Sequence, residues 1–137
     1  MKIRKMNEKH LESIIEIEEK TYNQPWTYKQ FRNSIGNSRS KCYVVIDDDI
    51  LCGYIMLFRQ DDNWYIENLT VHEEHRRKKI GTKLVQFAKK VTHPEPILTL
   101  VQDGFLPMHL LLKSVGFRAT HIIKDLDNDE YYSFTTD

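Results

Sequence analysis

Apolar residues recur along the chain with helical spacing in its first third. After a short strand at residues 2–6, Asn7 can cap a helix, and the inward positions of that helix are Leu11, Ile14, Ile15, Ile17 and Tyr22. Residues 27–30 have the capping-box sequence TYKQ, which starts a second helix that ends at Gly36. In this helix the predicted inward residues are Tyr28, Phe31 and Ile35. Two helices therefore precede the main run of strands.

Three strands are predicted next, because runs of β-branched and aromatic residues are separated by acidic turns. Residues 41–46 and 50–58 flank the turn formed by Asp47, Asp48 and Asp49, which indicates a hairpin. A second turn at residues 59–63 leads into residues 64–71. Three consecutive antiparallel strands follow from this pattern.

The rest of the chain alternates helices and strands. Helical spacing returns from Lys79 and stops before Pro94, with Ile80, Leu84, Phe87, Ala88 and Val91 inward. A buried strand at residues 96–101 precedes a helix that starts at Pro107 and ends at Gly116, with Met108, Leu111 and Val115 inward. Residues 117–126 and 130–134 form a closing hairpin. This order predicts one α/β domain over residues 1–137, with antiparallel strands and one βαβ crossover in the same sheet.

Composition and charge narrow the possible partners. Twenty basic residues balance twenty acidic ones, whereas proteins that wrap nucleic acid usually have a basic excess. Cys42 and Cys52 lie in apolar strands of a cysteine-poor chain, which favours buried thiols in a reducing compartment over a disulfide. No apolar run approaches the roughly 20 residues that span a bilayer. We therefore expect a cytoplasmic protein that binds neither nucleic acid nor membrane.

Four cations lie between the strand that ends at residue 71 and the helix that starts near residue 80. The unpaired N–H groups and positive dipole of a helix start attract phosphate there, and Gly81 would let a ligand approach the backbone closely. A solvated basic helix start is the alternative. A small nucleic-acid-binding protein that uses these cations is a further alternative, which the neutral net charge disfavours.

The same residues resemble a known family. The sequence RRKKIG at residues 76–81 fits the frame of Gln or Arg, two variable residues, Gly, one variable residue, and Gly or Ala that marks the GNAT acyltransferases, which bind acetyl-CoA. The segment IENLTVHEEHRRKKIGTKLV is similar to the fourth strand and third helix of that family, and LLLKSVGF to a later helix-to-strand segment. IEEKTYNQPWTYKQF further resembles the ribosomal-protein N-terminal acetyltransferases of the superfamily. The resemblance implies a mixed, mostly antiparallel sheet of about seven strands, splayed at the fourth and flanked by about four helices.

The resemblance also implies acetyl-CoA as cosubstrate. Backbone amides would hold the pyrophosphate and a splayed strand would pair with the pantetheine arm. The residues concerned are Leu69, Thr70, Val71, Arg76, Arg77, Lys78, Lys79, Ile80, Gly81 and Thr82. Lys79 stands where the family usually has glycine, and it costs on the order of 1 kcal/mol if a positive φ is needed.

The acceptor amine must lose a proton before it can attack. A lysine-like amine is less than about 0.1% neutral at pH 7, whereas an α-amine is roughly 10% neutral. Glu67 is the candidate base, because strand alternation places it on the face of Leu69 and Val71 and some polyamine-acetylating relatives have glutamate there. A surface glutamate is the alternative. The amide of Leu69 or Val71 would polarise the thioester carbonyl.

Three polar groups of the family are absent. Leu112 replaces the tyrosine that returns a proton to the thiolate, Leu100 replaces a catalytic glutamate, and Phe105 replaces an asparagine. Candidate substitute acids are Tyr131, Tyr132, Tyr65 and His109, although core aromatics and a surface histidine are the simpler interpretations. Two hypotheses follow: an N-acetyltransferase that uses proximity, or a degenerate member that binds CoA without turnover.

The acceptor groove of the family lies between residues 21–26 and the last hairpin turn. Acidic residues on both sides favour a cation such as a protein N-terminus, a lysine or a polyamine. They are Glu18, Glu19, Asp125, Asp127, Asp129 and Glu130. Tyr22 and Trp26 either frame this groove or only join the helices, and acidic turns also promote solubility. The histidines show no metal-ligand spacing, and the protein is expected to be a monomer or homodimer.

Overall fold

The fold is a seven-stranded sheet with helices on both faces. The computed structural model describes residues 1–136, in which the strand order is β1-β2-β3-β4-β5-β7-β6. The strands are β1 (Lys2–Lys5), β2 (Ser40–Asp47), β3 (Ile50–Gln60), β4 (Asn63–Val71), β5 (Ile97–Gln102), β6 (Arg118–Lys124) and β7 (Glu130–Thr135). The helices are α1 (Leu11–Thr21), α2 (Tyr28–Ile35), α3 (Ile80–Thr92) and α4 (Leu106–Ser114). Among the strands of residues 1–136, only β4 and β5 pair in parallel, so the mostly antiparallel sheet predicted from the sequence is confirmed.

The predicted helix starts are present. The Thr27 hydroxyl accepts a hydrogen bond from the Gln30 N–H at 3.2 Å, and the Gln30 side-chain oxygen accepts one from the Thr27 N–H at 2.8 Å. This reciprocal pair satisfies two donors that α2 would otherwise leave open. Asn7 caps a short 3₁₀ turn, Glu8–His10, which leads directly into α1. Among residues 1–136, no helix is both long and apolar enough to cross a membrane.

Two apolar clusters lie on opposite faces of the sheet. The larger joins β3 and β5 to α3 and α4, with Leu84, Leu112 and Phe134 fully buried. The smaller joins α1 and α2 to β2 and β3. Cys42 and Cys52 are both buried and free.

The predicted inward positions of the first two helices are only partly right. Tyr22 is 40% exposed and Tyr28 is 48% exposed, although both were predicted to face the core. Tyr28 is outside because Phe31 fills the contact between α2 and the sheet, with ring centroids 5.3 Å from Trp26 and 6.0 Å from Tyr54.

A bulge and a divergence of strands open the sheet in its middle. On β3, Met56 pairs with Asn68 and its neighbour Leu57 pairs with Ile66, so Glu67 is an extra residue of β4. The parallel pairing of β4 with β5 ends after Tyr65, while β5 continues along β7 to Gln102. From the bulge onward, β4 therefore has a neighbouring strand on one side only, and a cleft separates it from β5.

Candidate active site

The loop before α3 has the backbone shape that binds anions. Arg76 has φ −65°, Arg77 has φ 78°, and Lys79 at the helix start has φ 59° and ψ 30°. Lys79 in the left-handed region is followed directly by the right-handed residues of α3, and such a left–right pair turns successive N–H groups toward one point and forms a concave anion site. The four cationic side chains of residues 76–79 are exposed around it. Lys79 thus occupies the left-handed region, which answers the question raised by its replacement of glycine.

Gly81 lies where α3 and α4 meet. A Cβ atom at this position would lie 2.9 Å from Leu111 Cδ1 on α4. Because that distance is shorter than a normal carbon–carbon contact, the absence of a side chain favours the close approach of α3 and α4. Close approach of a ligand to the backbone of Gly81 stays a prediction.

The open edge of β4 presents backbone groups to the cleft. The Leu69 carbonyl accepts a hydrogen bond from the Tyr22 hydroxyl at 3.3 Å, and the Val71 carbonyl accepts one from Arg76 Nε at 3.3 Å. His72 N–H instead donates to the Cys52 carbonyl on β3 at 2.7 Å. Because the N–H and C=O of a strand residue point to the same side, the amides of Leu69 and Val71 face the cleft. Thr70 alternates with them, so its backbone faces β3.

A cavity of about 280 Å³ occupies the space between β4 and β5 and extends from the end of α1 to α4. Among the predicted site residues, Tyr22, Trp26, Glu67 and Leu69 line this cavity. Three residues that replace polar groups of the family also line it: Leu100, Phe105 and Leu112. The cavity surface near α4 is therefore apolar.

Glu67 lines the cavity, but not for the reason predicted. The bulge breaks strand alternation at Glu67, while Leu69 and Val71 pack toward the cluster under α3 and α4. Burial and then the nearby Glu67 carboxylate raise the pKa of Cys42, which lies in the cluster under α1 and α2, to about 12. The bulge thus removes the argument from strand alternation that put Glu67 on the face of Leu69 and Val71. Its side chain remains solvent-accessible, and partial burial raises the pKa of its carboxyl group.

Glu18 is a buried carboxylate, although it was predicted to make one side of the acceptor groove acidic. Its side chain is 1% exposed and accepts hydrogen bonds from the Tyr54 hydroxyl at 2.6 Å, Asn68 Nδ2 at 3.0 Å and Trp26 N–H at 3.0 Å. These donors stabilise the buried carboxylate, so Glu18 is not the exposed carboxylate with free oxygens that the acceptor-groove prediction assumed. Its spacing of four residues from Ile14 places it on the inward stripe of α1, which was the available signal.

The other predicted polar residues lie away from the cavity. Neither Tyr131, Tyr132 nor Asp127 lines it in the described part of the chain. Tyr132 packs in the larger apolar cluster beside His109, whose ring is 5.1 Å away and whose Nε2 is 3.1 Å from the Gln102 carbonyl. Asp127 lies in the turn between β6 and β7, where its N–H donates to Asp125 at 2.9 Å. No group of three or more His, Cys, Asp or Glu side chains suited to a metal occurs in residues 1–136.

The splayed sheet, the bulge in β4 and the anion-binding loop before α3 together define an acyl-transfer architecture. Residues 11–117 match the model of the acetyltransferase (GNAT) family, which is more than half of the chain. The protein therefore belongs to the GNAT acetyltransferase family. The predictions of family, fold and acetyltransferase class made from the sequence are confirmed.

Known proteins similar to this chain include N-acetyltransferases. A Bacillus subtilis (strain 168) protein with the provisional name [ribosomal protein bS18]-alanine N-acetyltransferase is 28% identical over 131 residues, which cover 93% of this chain and 87% of that protein. The crystal structure of the ribosomal-protein-S18-alanine N-acetyltransferase from Escherichia coli superposes with a TM-score of 0.87 at 15% identity, covering 98% of this chain and 92% of that one. Arabidopsis thaliana NAA60 in complex with acetyl-CoA gives a TM-score of 0.85 at 18% identity, covering 98% and 96% of the two chains.

Proposed function

We propose that the protein is an acetyl-CoA-dependent N-acetyltransferase that moves an acetyl group to a primary amine by direct attack in a ternary complex. The observation that carries this proposal is the open edge of β4, where the amides of Leu69 and Val71 face the cleft directly beside the anion-binding loop. The acetyltransferase family and a structural neighbour that holds acetyl-CoA support the choice of cosubstrate.

The cosubstrate would use backbone groups for most of its contacts. The amides of residues 77–82 hold the pyrophosphate at the start of α3, and the cations of residues 76–79 add charge. The pantetheine arm then pairs with the free edge of β4 at Leu69 and Val71, as an added strand pairs with a sheet edge. This path leads the thioester to the bulge and the cavity.

In the reaction, the acceptor nitrogen attacks the carbonyl carbon of the thioester. The developing oxyanion accepts a hydrogen bond from the amide of Leu69 or Val71, which already points into the cleft. The C–S bond then breaks, the products are an N-acetyl amide and the thiolate of CoA, and the nitrogen releases one proton. Proximity in the ternary complex supplies much of the rate enhancement.

Glu67 is the proposed acceptor of that proton. It lines the cavity, it makes no salt bridge within residues 1–136, and its raised pKa brings its basicity closer to that of the amine. Glu18 is unsuitable as a base, because its two oxygens already accept three hydrogen bonds in a buried site. Glu67 is thus the carboxylate of the cavity that has capacity to take a proton.

The departing thiolate receives no direct acid in this proposal. Leu112 lines the cavity at the position of the tyrosine in the family, and Tyr131 and Tyr132 lie elsewhere. A thiol has a pKa near 8.5, so the thiolate leaves as a moderately stable anion. Because a positioned acid contributes about 100-fold to 10,000-fold, we expect a slow enzyme.

The acceptor that fits this cavity best is a protein N-terminus. Relatives with this fold are named as alanine N-acetyltransferases of ribosomal protein S18. An α-amine is also far more often neutral at pH 7 than a lysine or polyamine nitrogen. The apolar lining at Leu100 and Phe105 suits a first residue without further charge, and a polyamine would need more than one free carboxylate. Tyr22 and Trp26 frame this acceptor, while the acidic turn that contains Asp127 attracts cations from a longer distance.

Binding of CoA without turnover is the second candidate function. It is favoured by Leu100 and Leu112, which line the cavity where the family has its catalytic glutamate and tyrosine. Release of free thiol from acetyl-CoA separates the two functions. Thiol release should be measured in parallel with three acceptors: a peptide that starts with alanine, a lysine peptide with a blocked N-terminus, and spermidine.

The first function predicts thiol release with the N-terminal peptide and a loss of at least tenfold in rate for Glu67→Gln. Glu74→Gln is the matched control, because Glu74 is an exposed carboxylate outside the cavity and should retain the rate. Absence of acetyl-CoA binding in isothermal titration would end both candidates. Tight binding without thiol release from any acceptor would favour the second.

A further inference from the structure

A continuous series of hydrogen bonds runs from Glu18 on α1 to Tyr22 at the cavity surface. Asn68 Nδ2 donates to Glu18 Oε1 at 3.0 Å, and Thr70 Oγ1 donates to Asn68 Oδ1 at 2.7 Å. The hydroxyl oxygens of Tyr22 and Thr70 are 3.0 Å apart. The path therefore crosses from the helix to β4 and returns to the residue that ends α1.

The donor and acceptor roles along this path are fixed by its buried end. An ionised carboxylate only accepts, so Asn68 must present its NH₂ group to Glu18 and its oxygen to Thr70. Thr70 has a single hydroxyl proton, which it gives to Asn68, so it can only accept from Tyr22. The nearby Leu69 carbonyl also only accepts. Both polar neighbours of the Tyr22 hydroxyl thus require it to be the donor.

The anchor at Glu18 is shielded from water. Glu18 is 1% exposed, Thr70 2% and Asn68 8%, so solvent does not compete for their hydrogen bonds. Tyr54 and the Trp26 N–H donate to the same carboxylate from other directions, which holds it in one orientation. Burial also raises the pKa of Tyr22, so its phenol keeps the proton that it donates.

We propose that Glu18 is a positioning residue for the acceptor. Through Asn68 and Thr70, Glu18 fixes the Tyr22 hydroxyl as a donor to the protein. The remaining lone pair of the Tyr22 hydroxyl oxygen then accepts a hydrogen bond from an N–H of the acceptor amine. Tyr22 is 40% exposed and lines the cavity at the bulge of β4, where the amine must arrive. The chemical class recognised is a primary amine or ammonium, which has protons to give. This inference rests on the proposed function for the identity of the ligand.

Acceptor binding can be measured without turnover. Isothermal titration of the CoA-loaded protein with an alanine-starting peptide gives the Kd of a dead-end complex in which no acetyl group can move. The same peptide with an acetylated N-terminus lacks the ammonium group and should bind at least tenfold more weakly. Thiol release by the wild type is recorded separately and tests the proposed function.

Two Tyr→Phe variants compare a hydroxyl inside the network with one outside it. Tyr22→Phe should weaken binding of the free peptide about tenfold and leave CoA binding within twofold. Tyr28→Phe, the matched control, removes an exposed hydroxyl on α2 that lies outside the network and the cavity, so it should leave the peptide Kd within twofold. A merely structural network predicts instead that Tyr22→Phe lowers Tm and weakens binding of the free and the acetylated peptide equally.

A double-mutant cycle tests whether Thr70 acts through Tyr22. In the wild-type background, Thr70→Val should weaken peptide binding about fivefold. In the Tyr22→Phe background, the same substitution should weaken peptide binding less than twofold. Thr70→Ser keeps the hydroxyl and should retain the peptide affinity of the wild type. Glu18→Gln should also weaken peptide binding, because a carboxamide cannot accept a hydrogen bond from every partner of Glu18. If Glu18→Gln does not fold, the Tyr22 and Thr70 variants decide the proposal. The proposal is overturned by additive effects, by an unchanged Kd in Tyr22→Phe, or by equal binding of free and acetylated peptides. If the peptide binds as described while thiol release is absent, the positioning role stands and the proposed function fails.

Discussion

Lys79 is the residue at which the sequence and the backbone of this protein disagree most clearly. It begins α3 with φ 59° and ψ 30°, in the left-handed region, and its side chain makes no capping hydrogen bond. An L-residue in that region is about 1–2 kcal/mol less stable than in the right-handed one. Glycine removes this cost but loses about 0.5–1 kcal/mol more chain entropy on folding. Lys79→Gly should therefore stabilise the fold by about 0.5–1 kcal/mol.

Urea unfolding followed by circular dichroism measures the change in the free energy of unfolding, and thermal unfolding should show a Tm increase of about 2–4 °C. Lys79→Ala is the control, because it removes the same charge and keeps the left-handed cost. Both variants should weaken acetyl-CoA binding to a similar extent, since each loses one cation beside the pyrophosphate. If the glycine variant is no more stable than the alanine variant, the explanation from φ is refuted.

The remaining predictions concern the cavity and the sheet beside it. Partial burial raises the folded-state pKa of Glu67 above its unfolded value, so the charged form of Glu67 destabilises the fold. Glu67→Gln should therefore become more stable relative to wild type as the pH rises through that pKa. Below about pH 4 the variant should show no gain in stability. A stability difference that does not vary with pH would contradict this. Leu112→Tyr should raise kcat at least tenfold over Leu112→Phe, which adds the same ring without the hydroxyl, and equal rates would exclude a role for the missing acid. Gly53→Ala should destabilise the protein by about 1–3 kcal/mol, since the new Cβ would lie 2.9 Å from the Thr70 carbonyl oxygen and 3.2 Å from Ile80 Cγ2. Chemical denaturation that shows no decrease in the free energy of unfolding would disprove this contact.

Local rules were sufficient for the elements themselves. The capping box at Thr27, the acidic turn between β2 and β3, and the start of α3 just after Lys79 all occur where the sequence predicts them. Each depends on residues within a few positions of one another, so the physical cause is contained in the local sequence. The motif from Arg76 to Gly81 likewise requires only a strand, a loop and a helix in succession.

Contacts between distant elements decided the chemistry of the site. Strand alternation does not hold at Glu67, because a bulge depends on how β4 pairs with β3 and not on β4 alone. Tyr131 and Tyr132 were plausible acids until the pairing of β7 with β5 turned them away from the cavity.

Sequence alone determined the order of helices and strands, the cationic loop before α3 and the family to which the chain belongs. Tertiary structure alone decided that Glu18 is buried beneath the cavity, with its charge compensated by groups from β3, β4 and the segment after α1. The physical reason is that a carboxylate on a helix has the same local preferences whether it faces water or a set of donors. Only the packing of α1 on the sheet brings those donors within hydrogen-bonding distance.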